Sequence, residues 1–409
     1  MEIADPGELT SLLPASGGTA WIRRGDGMIG LGEVARYDTD PADTDPIRSA
    51  EQWWQRFCRD ISVTTLEGVA GTGPIAFGTF CFDPGHTSRV GTLIVPEVVV
   101  GRRDGRAWLT LVSDDPTANP TPDLLTRRQI CPEGAPQQVR WSDGAVNGPA
   151  WEGVVAEAVD RIRAGVVDKV VLARDVVAEW DGELDTAGLV DRLAQGYQRC
   201  WTYHVDGLVG ATPEMLVRRE RGLATSRVLA GTIRRTGSDD RDLALAAALS
   251  QSSKDLSEHE FAVRSVAEAL APFCSGMNVP DSPSVLELPN VLHLATDVTA
   301  VATDHTSSLG LAAALHPSAA VCGTPTDKAR TLIADIEGMD RGRYAGPVGW
   351  IDAHGDGEWG IALRGGQLAD DGRSIRLYAG CGIVADSDPA AELAESNAKL
   401  VPMRDALDA

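Results

Sequence analysis

From Trp151 onward the chain alternates two hydrophobic periods, and that alternation most narrows the folds open to it. Val154, Val155, Ala158, Val159 and Ile162 recur at helix spacing, and Gly165 stops the pattern. Next comes a β-branched run, Val166 to Ala173, that carries Asp168 and Lys169 inside it. Helical patterns return over 187–197, 241–250 and 255–272, with Val263, Val266, Ala267 and Leu270 as the buried face of the last. Strand-like segments fall at 203–218, 291–301, 346–351, 359–363 and 374–378. Asp388-Pro389 reads as an N-cap and first-turn proline opening a final helix. Residues 1–145 read mainly as strands and turns, with apolar runs at 75–82, 92–95, 98–100 and 107–112. The Pro-, Asp-, Gly- and Asn-rich stretch 114–148 reads as surface loop. Long strands mixed with helices predict an α+β layered fold.

Charge and cysteine usage narrow the partners. The net charge of −22 argues against nucleic acid or an anionic membrane surface as a partner. An anionic substrate would then need a locally positive site built from Arg, Lys or a metal. Seven scattered cysteines, an odd number without a Cys-x-x-Cys pair, suggest free thiols in a reducing cytoplasm. No basic start leading into an apolar run marks a signal peptide, and no apolar run is long enough to span a bilayer. A monomer is the expected state.

Several residues stand where chemistry is possible. Glu392, Glu395 and Lys399 lie at i, i+3 and i+7 of the final helical pattern and share a face. Asp255, Glu258 and His259 open an earlier helix. Carboxylates from two distant helices can make an oxygen-rich pocket for a hard cation such as Mg²⁺, although each cluster alone also fits a solvated acidic face. Lys169 reads either as an edge-strand lysine that discourages pairing or as a desolvated amine able to act as a base. Glu214 reads as an exposed strand-end carboxylate or as an acid whose pKa an apolar wall raises. Leu229-Ala230-Gly231-Thr232 reads as a short loop where a ligand could approach. His293, amid apolar residues, is by type a satisfied core histidine. Arg364 before Gly365-Gly366, and the glycines of Ala379-Gly380-Cys381-Gly382, suit a carboxylate clamp but also suit ordinary turns.

These segments together resemble the chorismate-utilising enzymes: isochorismate, salicylate, anthranilate and aminodeoxychorismate synthases. The resemblance covers roughly residues 150–402 in consistent order. It rests on Lys169-Val-Val-Leu-Ala-Arg, Thr212-Pro-Glu, Leu229-Ala-Gly-Thr, Ser253-Lys-Asp-Leu-Ser-Glu-His-Glu, His293-Leu-Ala-Thr, His316-Pro-Ser-Ala-Ala-Val-Cys-Gly-Thr-Pro, Tyr344-Ala-Gly-Pro-Val-Gly-Trp, Ala379-Gly-Cys-Gly-Ile-Val and Glu392-Leu-Ala-Glu. It implies one large α+β domain spanning 1–409, a two-sheet β core flanked by helices. Residues 1–145 would be a divergent N-terminal half, and 146–409 the half carrying the motifs. By the same resemblance, Glu258 and Glu395 would hold Mg²⁺, with Asp255 and Glu392 nearby or acting through water. Tyr344, Arg364, the Gly380 amide and Lys399 would clamp the enolpyruvyl carboxylate of chorismate. His293 would stand beside the substrate ring, with Ala230, Gly231, Thr232, Ala320 and Gly382 around it.

The subfamily follows from the same likeness. Relatives that form a covalent lysine adduct carry that lysine where Ala230 stands. Ammonia-using anthranilate synthases generally lack a lysine matching Lys169. Lys169 as base and Glu214 as acid suit water addition, which implies an isochorismate synthase, feeding menaquinone or siderophore synthesis. Salicylate synthases are the near alternative, but tend to carry Thr where Ala320 stands. A non-catalytic chorismate-binding protein is the remote one, since Lys169, Glu214 and the acidic residues are all present. Cys381 replaces the alanine usual in its loop.

Overall fold

The computed structural model describes residues 1–63, 69–87, 90–115, 117–125, 138–287 and 291–408, apart from the side chains of Thr232, Lys254, Asp255 and Glu258. The first part of the chain runs through β1 (Glu2–Ile3), β2 (Thr19–Arg23), β3 (Asp26–Leu31), β4 (Ala35–Asp38), α1 (Pro46–Asp60), β5 (Ile75–Thr79), β6 (Thr92–Val95), β7 (Val98–Arg103), β8 (Arg106–Leu111) and β9 (Arg140–Asp143). Then come α2 (Gly148–Arg163), β10 (Lys169–Glu179), α3 (Thr186–Gly196), β11 (Trp201–Val205), β12 (Leu208–Thr212), β13 (Met215–Glu220), β14 (Leu223–Arg234), α4 (Asp239–Gln251) and α5 (Ser253–Leu270). The last part holds β15 (Cys274–Asn278), β16 (Ser284–Glu287), β17 (Val291–Ala302), α6 (Ser308–Leu315), β18 (Gly323–Thr324), α7 (Thr326–Ile336), β19 (Pro347–Asp352), β20 (Gly357–Ile361), β21 (Gly365–Leu368), β22 (Ser374–Ile383) and α8 (Pro389–Asp408).

Among the described residues these strands form two antiparallel sheets. The twelve-stranded one runs β1-β8-β7-β3-β2-β11-β12-β21-β22-β10-β18, with β9 also on β10. The ten-stranded one runs β15-β17-β14-β13-β20-β19-β5-β6-β4, with β16 also on β17. Trp21, Trp108, Trp201 and Tyr203 of the first sheet pack against Ile75, Phe77, Val348 and Trp350 of the second. Each large aromatic removed from water contributes roughly 2–3 kcal/mol, which makes this interface a main source of stability. On the first sheet's other face, Leu189, Val190 and Leu193 of α3 and Leu400 and Met403 of α8 join Val176, Ala178 and Leu377. The α+β, two-sheet architecture implied by the resemblance is the one observed.

Local signals set the helix starts. Asp388 Oδ1 accepts from the Ala391 N–H at 2.9 Å, so α8 begins at Pro389 where the sequence predicts. Asn147 caps α2, and Gly165, at φ +76°, turns the chain into β10. Three expectations need correction. Residues 46–60 are helical: Asp45 caps the N-terminus, and Trp53, Trp54 and Phe57 stack along the helix. Residues 140–143, inside the expected loop, pair with β10. Leu229–Thr232 is not a loop but the interior of β14, where Gly231 at φ +77° makes a β-bulge. The sequence pattern also leaves out α6, which is apolar on all sides and so shows no helical stripe; Leu309, Leu311, Ala312 and Leu315 are all buried.

Candidate active site

A cavity of about 790 Å³ opens between β10, β14, β17, β22, α5 and α8. Lys169, Glu214, Ala230, Gly231, His293, Ala320, Tyr344, Arg364, Gly380, Gly382, Glu392, Glu395 and Lys399 all line it. Thr232 lies in β14, and Asp255 and Glu258 lie in the opening turns of α5, but their side chains fall outside the described residues.

Lys169 begins β10, which is not an edge: Lys169 pairs with Thr324 of β18, and Val170 with Ile383 of β22. The gatekeeper reading therefore falls. Nor is the amine enclosed, since Lys169 is half-buried. Its stem lies over Gly382, where any Cβ would stand 2.8 Å from Lys169 Cε. The glycine is what leaves room for the lysine to reach the cavity.

Glu214 sits between β12 and β13 and is only 8% exposed, which excludes the exposed strand-end reading. Burial pushes its carboxyl up from 4.5 to about 7, partly offset by the charges of Arg364, Lys169 and Lys399. A carboxyl raised this far can give up a proton near neutrality, with three cations close by. His293 is buried opposite the Gly231 bulge. Desolvation, with Arg364 and Lys399 nearby, pushes its pKa down to about 3, so its ring is neutral at physiological pH.

Arg364 follows β20 with φ +51°, and Ala345 has φ +63°; both are non-glycine residues in the left-handed region. Such conformations cost roughly 1 kcal/mol or more and persist where the surroundings hold them. Here the Tyr203 hydroxyl donates to the Leu363 carbonyl at 3.0 Å. A Cβ on Gly365 would lie 2.3 Å from that hydroxyl, so only glycine admits the approach. Tyr344 and Tyr378 stack at 5.0 Å and form one wall.

On α8 the Lys399 ammonium sits 2.6 Å from Glu395 and donates to the Gly380 carbonyl at 2.8 Å. Burial works to raise Glu395, but Lys399 outweighs it and holds the carboxyl below the ordinary value. Burial raises Glu392, which accepts from Ser387 at 2.8 Å. Ligand atoms of Cys381, Glu392 and Glu395 lie within 4.8 Å of one another. The thiol donates to the Glu392 carbonyl at 3.3 Å, which leaves the two carboxylates as the donors. Two neighbouring carboxylates, one of them raised in part by the charge of the other, fit a hard, oxygen-seeking cation.

Arg341, Tyr378 and Phe261 also line the cavity, and their sequence surroundings give no sign of it. Arg341 stands three residues before Tyr344 but bears no local chemical signal, because what it touches is distant in sequence.

This fold and cavity belong to a known class. The chain is a member of the family described as chorismate binding enzyme, whose sequence model matches residues 21–408. It is 31% identical over 405 residues to the isochorismate synthase MenF of Bacillus subtilis (strain 168), covering 93% of this chain and 85% of that one. It is 31% identical over 379 residues to the isochorismate synthase EntC of Escherichia coli (strain K12), covering 91% and 90%. The solved structure of MenF, the menaquinone-specific isochorismate synthase from Escherichia coli, superposes with a TM-score of 0.79 at 25% identity. That match covers 100% of this chain and 93% of the other. Among the described residues no helix is long and apolar enough to cross a membrane.

Proposed function

We propose that this protein is an isochorismate synthase, converting chorismate reversibly into isochorismate. The observation that carries the reading is Lys169 and a buried Glu214, whose carboxyl burial raises to about 7, lining one cavity with Arg364 and Lys399. Water adds at C2 of the ring while Lys169 takes one of its protons. The ring double bonds shift, and Glu214 protonates the C4 hydroxyl, which leaves as water. One water enters and one departs, so reactant and product are isomers. The half-buried position of Lys169 suits this role, since the amine must meet a water molecule. Arg364, Tyr344, Lys399 and the Gly380 amide bind the enolpyruvyl carboxylate, and neutral His293 packs beside the ring.

Glu395 and Glu392, with Glu258 and Asp255, would hold Mg²⁺, which when bound neutralises the ring carboxylate. Ala230 offers no nucleophile, which disfavours a covalent route. The reading also takes residues 1–409 as one folded unit.

The deciding experiment is incubation of the purified protein with chorismate and Mg²⁺, with and without EDTA, followed by chromatography. An equilibrium mixture of chorismate and isochorismate, lost in EDTA, is the expected result. Salicylate with matching pyruvate would transfer the protein to the lyase-capable synthases. No conversion of chorismate would overturn the proposal.

A further inference from the structure

The strand that begins with Lys169 is laddered continuously on one side and interrupted on the other. β22 pairs with β10 from Val170 to Glu179. On the other side β18 covers Lys169 and Val170, and β9 covers Val176–Glu179. Between these two, among the described residues, the Val171 N–H still donates to the Cys322 carbonyl at 2.9 Å, but no strand pairs with the Val171 carbonyl or with the outward groups of Ala173. A main-chain group left unpaired away from water costs as much as a lost hydrogen bond. Side chains fill the gap. Arg341 Nη2 donates to the Val171 carbonyl at 2.7 Å, and the Ala173 N–H donates to Glu337 Oε2 at 2.7 Å. Trp151 Nε1 donates to the Ala173 carbonyl at 2.9 Å.

Arg341 and Glu337 are joined as a fork, Nε to Oε1 at 2.7 Å and Nη2 to Oε2 at 2.6 Å. Their side chains are 4% and 1% exposed. The guanidinium reaches further, for Nη1 donates to the Val321 carbonyl, next to Ala320, at 3.0 Å. Its Cζ lies 4.2 Å from the centre of the Phe82 ring. The Arg341 carbonyl accepts from the Tyr344 N–H at 2.9 Å. One residue thus ties the strand of Lys169, the loop of Ala320 and the turn of Tyr344. A buried ion pair is weak evidence of a stabilising role, because well-packed apolar residues often serve stability as well. This pair also fixes three walls of the cavity relative to one another.

We infer that Arg341, held by Glu337, is a positioning residue for Lys169 and for the Ala320 loop in the reaction proposed above, on which the inference rests. Its planar fork sets the distance between base and substrate without touching the reacting atoms. A lysine keeps the charge but cannot bond Glu337 bidentately and reach two carbonyls at once.

The test compares Arg341→Ala, Arg341→Lys and Glu337→Gln. Arg341→Lys should recover most of the melting temperature that Arg341→Ala loses, yet keep kcat down by about 10- to 100-fold, the scale of a 1 Å misplacement. Its KM for chorismate should stay within about threefold of wild type, as expected when ground-state binding is untouched. Glu337→Gln retains an acceptor for Ala173 but loses the fork, and should show the same split. If neither Arg341 variant folds, Glu337→Gln decides. Wild-type kcat in Arg341→Lys or Glu337→Gln would overturn the inference, and so would a raised KM with unchanged kcat. Amide hydrogen exchange gives a readout independent of turnover: Arg341→Lys should speed exchange at 170–173 and 320–322 together. Unchanged exchange there would also overturn it. If the wild-type protein leaves chorismate unconverted, the proposed function fails, while the exchange result still reports on the tie.

Discussion

Among the described residues, 1–145 supply nine strands to the two sheets, yet every one that lines the main cavity lies between Asp168 and Lys399. The first part of the chain is not a separate layer. β2 pairs with β11, and β5 pairs with β19, so each sheet is a block of strands from one part joined at a single seam to a block from the other, with β9 added on β10. One part frames and the other lines. A framing strand has only to bury an apolar face, which many sequences can do. A lining strand must also present particular groups at particular places. That difference accounts for motifs concentrated after residue 150.

The sharpest way to break this comparison is to alter lining residues and look for effects on the frame. Lys169→Ala should lower turnover by about 10²- to 10⁴-fold, the range typical of a general base, with little change in melting temperature. Glu214→Gln should slow turnover by a similar order while chorismate binding, measured by titration calorimetry, persists. Undiminished turnover in either variant would remove that residue from the chemistry. Next in size, Glu258→Gln or Glu395→Gln should weaken apparent Mg²⁺ affinity by at least the about 10- to 100-fold seen when a ligand's supporting partner is lost. Excess Mg²⁺ should restore part of the activity, and full activity in EDTA would sink the metal assignment.

The converse change acts on the frame. Phe77 is fully buried between the sheets. Phe77→Ala should cost about 3–5 kcal/mol in denaturant unfolding, while kcat per folded molecule stays at the wild-type value. A specific loss of kcat would mean the frame is coupled to the chemistry.

The smallest expected effect is a pH dependence of stability. The Glu214 carboxyl rises from 4.5 to about 7 on folding, chiefly through burial. The folded chain therefore binds more protons than the unfolded chain between those values, and stability falls as pH rises through that window. Glu214→Gln removes this cost. Its melting temperature should exceed that of the wild type above pH 7 and converge with it below about 4.5, the ordinary carboxyl value. Parallel curves at all pH values would show that the carboxyl is not held in its neutral form.

Much of the lining was legible in the sequence because it is carried by short local patterns. Asp388-Pro389 announces α8, and with it the shared face of Glu392, Glu395 and Lys399. Lys169 stands out as a charge inside a β-branched run. Glycine is harder to read. Gly231 and Gly382 look like turn residues but lie within strands, one making a bulge and the other clearing space for Lys169. Arg341 and Glu337 were invisible because their partners, Val171 and Ala173, are about 170 residues away. The pairing of β2 with β11 was equally out of reach, since alternation marks a strand's buried face but not its neighbour.

The glycines of β22 carry a consequence for any molecule meant to block this cavity. At Gly380 and Gly382 the floor is bare main chain, and Lys399 already bonds the Gly380 carbonyl. A compound anchored on that floor by hydrogen bonds would grip main-chain groups, of which only proline, by removing an N–H, could delete any. The remaining escape is to cover the floor with a side chain. At position 382 the first carbon of that side chain would press on Lys169, and at 380 it would stand 2.9 Å from the Leu172 carbonyl and 3.2 Å from the Tyr344 hydroxyl. Resistance to such a compound would thus be gained only by crowding the groups that turnover depends on.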